Sequence, residues 1–87
     1  MERVTESHPA VRAAVAVAEP DDRLGERVCV FVVADPDAPA FDLAECRRWF
    51  EAAGVARFKT PERVEVVAAL PTLAAGKVDR AALRARL

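Results

Sequence analysis

Glycine, cysteine and aromatic residues are scarce in this chain, tyrosine is absent, and histidine and tryptophan occur once each. Each shortage closes off a class of chemistry. With three glycines there is no Gly-rich phosphate cradle. The "AAGK" stretch lacks the first glycine of a P-loop, and Lys77 is followed by Val78 rather than Ser or Thr. The two cysteines, Cys29 and Cys46, have no zinc-motif spacing and make no disulfide framework. Both lie in apolar contexts and read as buried, reduced thiols. The lone His8 stands at a helix end before Pro9 and reads as structural, so no Ser/His/Asp or Cys/His pair can be assembled, and no metal site is expected. An aromatic content of 6% argues against a large pocket lined by stacked rings. No apolar run reaches the roughly 18 residues of a membrane span, and no signal-peptide pattern opens the chain. The expectation is a cytoplasmic domain with no membrane partner. A net charge of −1 argues against general nucleic-acid binding.

What is present is an aliphatic core. The 87 residues are 53% hydrophobic and rich in Ala and Val, enough for one thin domain. At that size roughly 60% of the unfolded chain's surface can be buried. Charge is uneven: residues 1–44 carry four basic and nine acidic side chains, residues 45–87 nine basic and five acidic. A basic second half could meet an anionic ligand.

Patterning gives an order of elements. Glu2 to Ser7 reads as a short helix stopped before Pro9. "VRAAVAVA" (11–18) alternates, with Val11, Ala13, Val15 and Val17 on one face of a strand. "EPDDRLGE" (19–26) reads as a connecting turn, its Asp21 and Asp22 being turn acids rather than catalytic carboxylates. "VCVFVVA" (28–34) is continuously apolar and should be a strand covered on both faces, paired with the first as a hairpin. After the loop "DPDAPA", Asp42 opens a helix with Glu45 in capping-box position. Leu43, Cys46, Phe50 and Ala53 form its inward stripe, Arg47, Arg48 and Glu51 its outer face, and Trp49 is partly buried. Gly54 is its stop. "RFKTP" (57–61) is a basic loop, and "ERVEVVAAL" (62–70) gives a third strand, near 63–67, with Val64 and Val66 on one side. Asp79 caps a final helix over 80–87, docked through Ala82, Leu83 and Leu87. There are no internal repeats. The fold class is α+β, a three-stranded sheet packed with helices.

"LPTLAAGKVDR" (70–80) is the stretch that carries chemistry. Lys77 follows Gly76 in a loop of small residues at the entry to a capped helix, so its side chain is presented rather than packed. Adenylyl- and phosphoryl-transfer reactions need such a cation to neutralise charge on non-bridging oxygens.

Three segments in order, "HPAVRAAVAVAEPDDRLGERVCVFVV", "FKTPERVEVVAALP" and "GKVDRAALR", resemble the C-terminal lid domain of the adenylate-forming superfamily. That superfamily includes acyl- and aryl-CoA synthetases, nonribosomal peptide synthetase adenylation domains and luciferases. The resemblance covers residues 8 to 86. It implies a large N-terminal domain that binds ATP, Mg2+ and a carboxylic acid, over which the lid closes. It implies that Lys77 is the catalytic lysine, bridging carboxylate and phosphate oxygens as the acid attacks the α-phosphate and pyrophosphate leaves. The lid then rotates, and another face serves a thiol from CoA or a phosphopantetheinyl carrier protein. Lys59 and Pro61 match the family's aromatic-Lys-x-Pro segment, so Lys59, with Gly76, becomes a candidate for nucleotide or thiol-partner binding. Gly25 and Glu26 match the turn after the first strand. The resemblance also sets residue 1 after the family's hinge and its glycine-containing hairpin. Leu73 stands where the family commonly has Thr. The "AAGKVDR" ending is most similar to aryl-acid-activating ligases of siderophore pathways.

The expected function is therefore the C-terminal domain of an ATP-dependent acid-activating ligase, inactive as an isolated chain. The alternatives are a freestanding binding or regulatory module derived from this fold, and an unrelated α+β interaction domain.

Overall fold

A computed structural model describes residues 1–23 and 25–87, apart from the side chain of Asp21. The order is α1 (Glu2–Glu6), β1 (Val11–Asp21), β2 (Gly25–Ala34), α2 (Leu43–Ala52), β3 (Arg63–Val66) and α3 (Arg80–Arg84). The strands form one sheet in the order β1-β2-β3, β1 and β2 antiparallel, β2 and β3 parallel. The α+β expectation holds.

The apolar run in β2 is covered on both faces, as its composition requires. Val30 and Val32 point into one core with Ala10, Val11, Ala14, Phe41, Cys46 and Phe50. Cys29 and Phe31 point into a second core with Val15, Val17 and Leu83. α1 and α2 close the first core and α3 the second. Both thiols are fully buried and unpaired.

Two expectations about the hairpin are corrected. Residues 19–26 are not simply a connecting turn, because both strands run further: the ladder continues through Glu19↔Arg27 and Pro20↔Glu26 to Asp21↔Gly25. The buried Glu19 carboxylate, ion-paired with Arg27 and with Arg63 of β3, holds this extension. Pro20 is tolerated because β1 is an edge strand. Leu24, within the expected turn, lies outside the described residues. The register also shifts between Val11 and Ala13. That bulge sends Val11 to the first core while Val15 and Val17 enter the second, so the four alternating residues do not share a face.

In α2, Asp42 Oδ1 accepts the Glu45 N–H at 2.8 Å. The reciprocal half of the box is not made, because the Glu45 carboxylate turns to His8 and Arg48 instead. Cys46 and Phe50 are buried and Leu43 half-buried, but Ala53 is exposed as the helix C-cap. Gly54 ends the helix at φ 78°. Its N–H donates to Glu51 O and that of Val55 to Phe50 O, the paired bonds of a Schellman stop.

The third strand, Arg63–Val66, lies near 63–67 as expected and does not run on to 70. Val67 N–H makes one more bond to Val32 O, and then the chain folds over the sheet so that Val67 and Leu70 join the second core. Val64 packs on the first core while Val66 is 53% exposed. α3 likewise ends at Arg84 rather than Leu87. Its last turn tightens into bonds from Arg86 to Leu83 O and from Leu87 to Arg84 O, although Leu83 and Leu87 dock as expected.

Candidate functional site: the Lys77 hairpin

Residues 72–78 form a miniature hairpin. Thr72 and Val78 make an isolated antiparallel bridge. Inside it, Leu73 N–H donates to Lys77 O at 2.7 Å and Gly76 N–H to Leu73 O at 2.9 Å. Gly76 sits at φ 85°, the left-handed residue that lets a three-residue loop close. Leu73 contributes backbone to this closure while its side chain is half-exposed. The hairpin is therefore shaped by backbone bonds. Lys77 is exposed, and among the described residues its ammonium has no ion-pair or hydrogen-bond partner.

The hairpin is tied to the domain on its C-terminal side. Val78 packs on the second core. Asp79 N–H donates to Pro71 O at 2.8 Å, and the Asp79 carboxylate caps α3 through the Ala82 N–H at 3.0 Å. Arg80 Nη1 donates to Ala16 O at 2.8 Å and to Glu2 Oε2 at 3.1 Å. Burial pushes the Glu2 carboxyl up, but the Ala16 N–H and the Arg80 guanidinium outweigh it and hold the group below its ordinary value. Arg80 and Glu2 are 78 positions apart, so no local sequence signal could have joined them.

Lys59 is placed elsewhere. It ends a 3-10 turn over Arg57–Lys59, exposed, with Nζ 5.8 Å from the centroid of the Phe58 ring. Phe58 is itself 81% exposed. The turn is held by Thr60 Oγ1 donating to Arg57 O and by the buried Pro61. Beside it is an open cleft of about 410 Å³ lined by Arg47, Glu51, Val55, Arg57 and Thr60. Val55 packs on the first core, whereas Leu70 and Val78 pack on the second. The segments carrying Lys59 and Lys77 are thus anchored to opposite faces of the sheet. At the start of β3, the hydrogen bond to Glu65 pushes the Arg63 guanidinium up from its ordinary value. Gly25 and Glu26 are exposed at the start of β2.

Among the described residues no group of three His, Cys, Asp or Glu side chains could hold a metal ion. Among the same residues, no helix is long and apolar enough to cross a membrane.

The hairpin and its setting have close counterparts. A family model, the AMP-binding enzyme C-terminal domain, matches residues 1–77. Pyochelin synthase PchD of Pseudomonas aeruginosa is 41% identical over 87 residues, which is 100% of this chain and 16% of that protein. The 2,3-dihydroxybenzoate-AMP ligase of Bacillus subtilis is 44% identical over 78 residues, 90% of this chain and 14% of the ligase. In three dimensions the chain matches apo MbtA of Mycobacterium smegmatis with a TM-score of 0.91 and 41% identity, covering 99% of this chain and 16% of that one. The chain spans about one sixth of the length of such relatives.

Proposed function

The chain belongs to the AMP-binding enzyme C-terminal domain family, and from that premise we propose that it is the lid of an ATP-dependent ligase that activates a carboxylic acid. In this reading Lys77 is the catalytic residue. A carboxylate oxygen of the acid attacks the α-phosphorus of ATP, the bond from that phosphorus to the bridging oxygen breaks, and pyrophosphate leaves. Negative charge builds on the oxygens around the α-phosphorus, and a fixed ammonium there lowers the barrier. The observation that carries the reading is the exposed, unpartnered Lys77 ammonium on a hairpin whose shape is set by backbone bonds. A cation without a partner among the described residues is available to one outside the domain.

The acid and ATP are assigned to a larger domain that this chain covers. Mg2+, which would neutralise phosphate charge, is assigned there too, with the ATP whose phosphates it would hold. Relatives that include 2,3-dihydroxybenzoate-AMP ligases support an aryl acid as the substrate class and siderophore assembly as the setting. The second half-reaction would pass the acyl group to a thiol of CoA or of a carrier protein. Lys59 and Gly76 are the proposed contacts to the nucleotide or thiol partner.

The test separates the half-reactions in the complete ligase. Lys77→Ala should slow adenylation by on the order of 10² to 10³ while thioester formation from a pre-made adenylate survives. Lys77→Arg should rescue poorly, since a planar fork does not reproduce a compact ammonium. Equal loss in both steps, or loss in neither, would overturn the assignment.

A further inference from the structure

Backbone bonds fix the shape of the 72–78 hairpin but not where it stands on the domain. Its small residues bury little, and the long Lys77 side chain amplifies any rocking of its base. The directional tie is Arg80, three positions on and the first residue of α3. One nitrogen, Nη1, reaches Ala16 O on β1 and Glu2 Oε2 on α1. The same Glu2 oxygen accepts the Ala16 N–H at 2.8 Å. β1 is an edge strand, and Ala16 presents an N–H and a C=O away from β2. Glu2 takes the donor, Arg80 takes the acceptor, and the two side chains bond each other. The result is a closed ring of hydrogen bonds joining α1, the open edge of β1 and the base of the Lys77 hairpin.

We propose that Arg80, oriented by Glu2, is a positioning residue for Lys77: the ring sets the hairpin's stance so that the lysine reaches one fixed point. The proposal rests on the catalytic role given to Lys77 above. Both side chains are about a third to a half exposed, so the pair adds little to global stability. A misplacement of about 1 Å can nevertheless cost about 10²-fold in rate. A residue with a small effect on folding and a large effect on one reaction step is the signature expected.

The experiment uses the complete ligase, with both half-reactions and thermal unfolding measured for Lys77→Ala, Arg80→Ala, Arg80→Lys, Glu2→Gln and the Lys77→Ala/Arg80→Ala double variant. Arg80→Ala should lower the adenylation kcat by about 10- to 10²-fold, leave KM for the acid and the thioester step unchanged, and barely move the melting temperature. Arg80→Lys, which keeps the charge and can reach one acceptor, should recover part of the loss. Glu2→Gln should show a smaller loss of the same kind. In the Lys77→Ala background, Arg80→Ala should add nothing, because it acts only through the lysine. An additive loss would mean that Arg80 acts on its own account and would overturn the clamp. So would an unimpaired Arg80→Ala enzyme beside an impaired Lys77→Ala enzyme, or an equal fall in both half-reactions. An unimpaired Lys77→Ala enzyme would instead overturn the lysine's role, and the clamp with it. Should Arg80→Ala fail to fold, Arg80→Lys and Glu2→Gln carry the same comparison.

Discussion

His8 Nε2 lies 2.9 Å from Glu45 Oε2 while the other ring nitrogen, Nδ1, accepts the Ala10 N–H at 3.0 Å. With Nδ1 committed as an acceptor, the proton must sit on Nε2 and be donated to Glu45. A second proton on Nδ1 would face an N–H already pointing at it. The ring is also packed edge-on against Phe41 and Trp49, at 4.9 and 4.7 Å between centroids.

Burial therefore lowers the His8 pKa from its ordinary 6.5, and the nearby Glu45 charge, shared with Arg48, does not reverse it. A base whose folded pKa is depressed binds fewer protons folded than unfolded in the window below 6.5. Stability is then fully present above that pH and is lost as pH falls through it. The urea midpoint should drop between about pH 7.5 and 5.5, and His8→Gln should flatten the drop. An unchanged midpoint in the native chain would show that His8 titrates freely.

Burial pushes both the Cys29 and Cys46 thiols up to about 11. The thiolate is the reactive form, and neither side chain has measurable exposure. An aromatic disulfide reagent at about pH 8 should leave both untouched in the native chain and modify both in denaturant. Rapid labelling of either under native conditions would contradict the packing.

The two faces of the sheet can be compared by truncation. Phe50→Ala empties the first core and should cost about 3–5 kcal/mol, and Leu83→Ala empties the second and should cost about 2–5 kcal/mol. Phe58→Ala removes a ring that is 81% exposed and should change stability by less than about 0.5 kcal/mol. Urea unfolding of the isolated chain measures all three.

These contrasts also mark what could be seen without a structure. The β2 run, the Asp42 and Asp79 caps and the Gly54 stop were legible because each depends on neighbours within a few positions. The bulge at Arg12 was not, since alternation alone places Val11 with Val15. The extension through Pro20 depends on Glu19 meeting Arg27 and Arg63 across the sheet, and the split of the Glu45 carboxylate depends on His8. Both are long-range polar pairings with no periodic signature. The exposed setting of Lys77 was legible from Gly76 and the small-residue loop. Its tie to Glu2 through Arg80 was not, because folding brings those elements together.

Gly76 supplies the last test. At φ 85° an L side chain is strained, yet a Cβ built there meets nothing within 4 Å. The cost of Gly76→Ala is then backbone strain alone, roughly 1–2 kcal/mol, with no clash to spread it. That strain can be relieved by opening the turn, since the hairpin is closed by only a few backbone bonds, and opening it moves Lys77. Global stability should fall by no more than that strain, while adenylation by the complete ligase falls further than stability explains. Gly76→Asn should recover much of both, because Asn enters the left-handed region more readily than Ala. If Gly76→Ala and Gly76→Asn adenylate alike at equal stability, the left-handed turn does not set the lysine's position and the hairpin is only a connection.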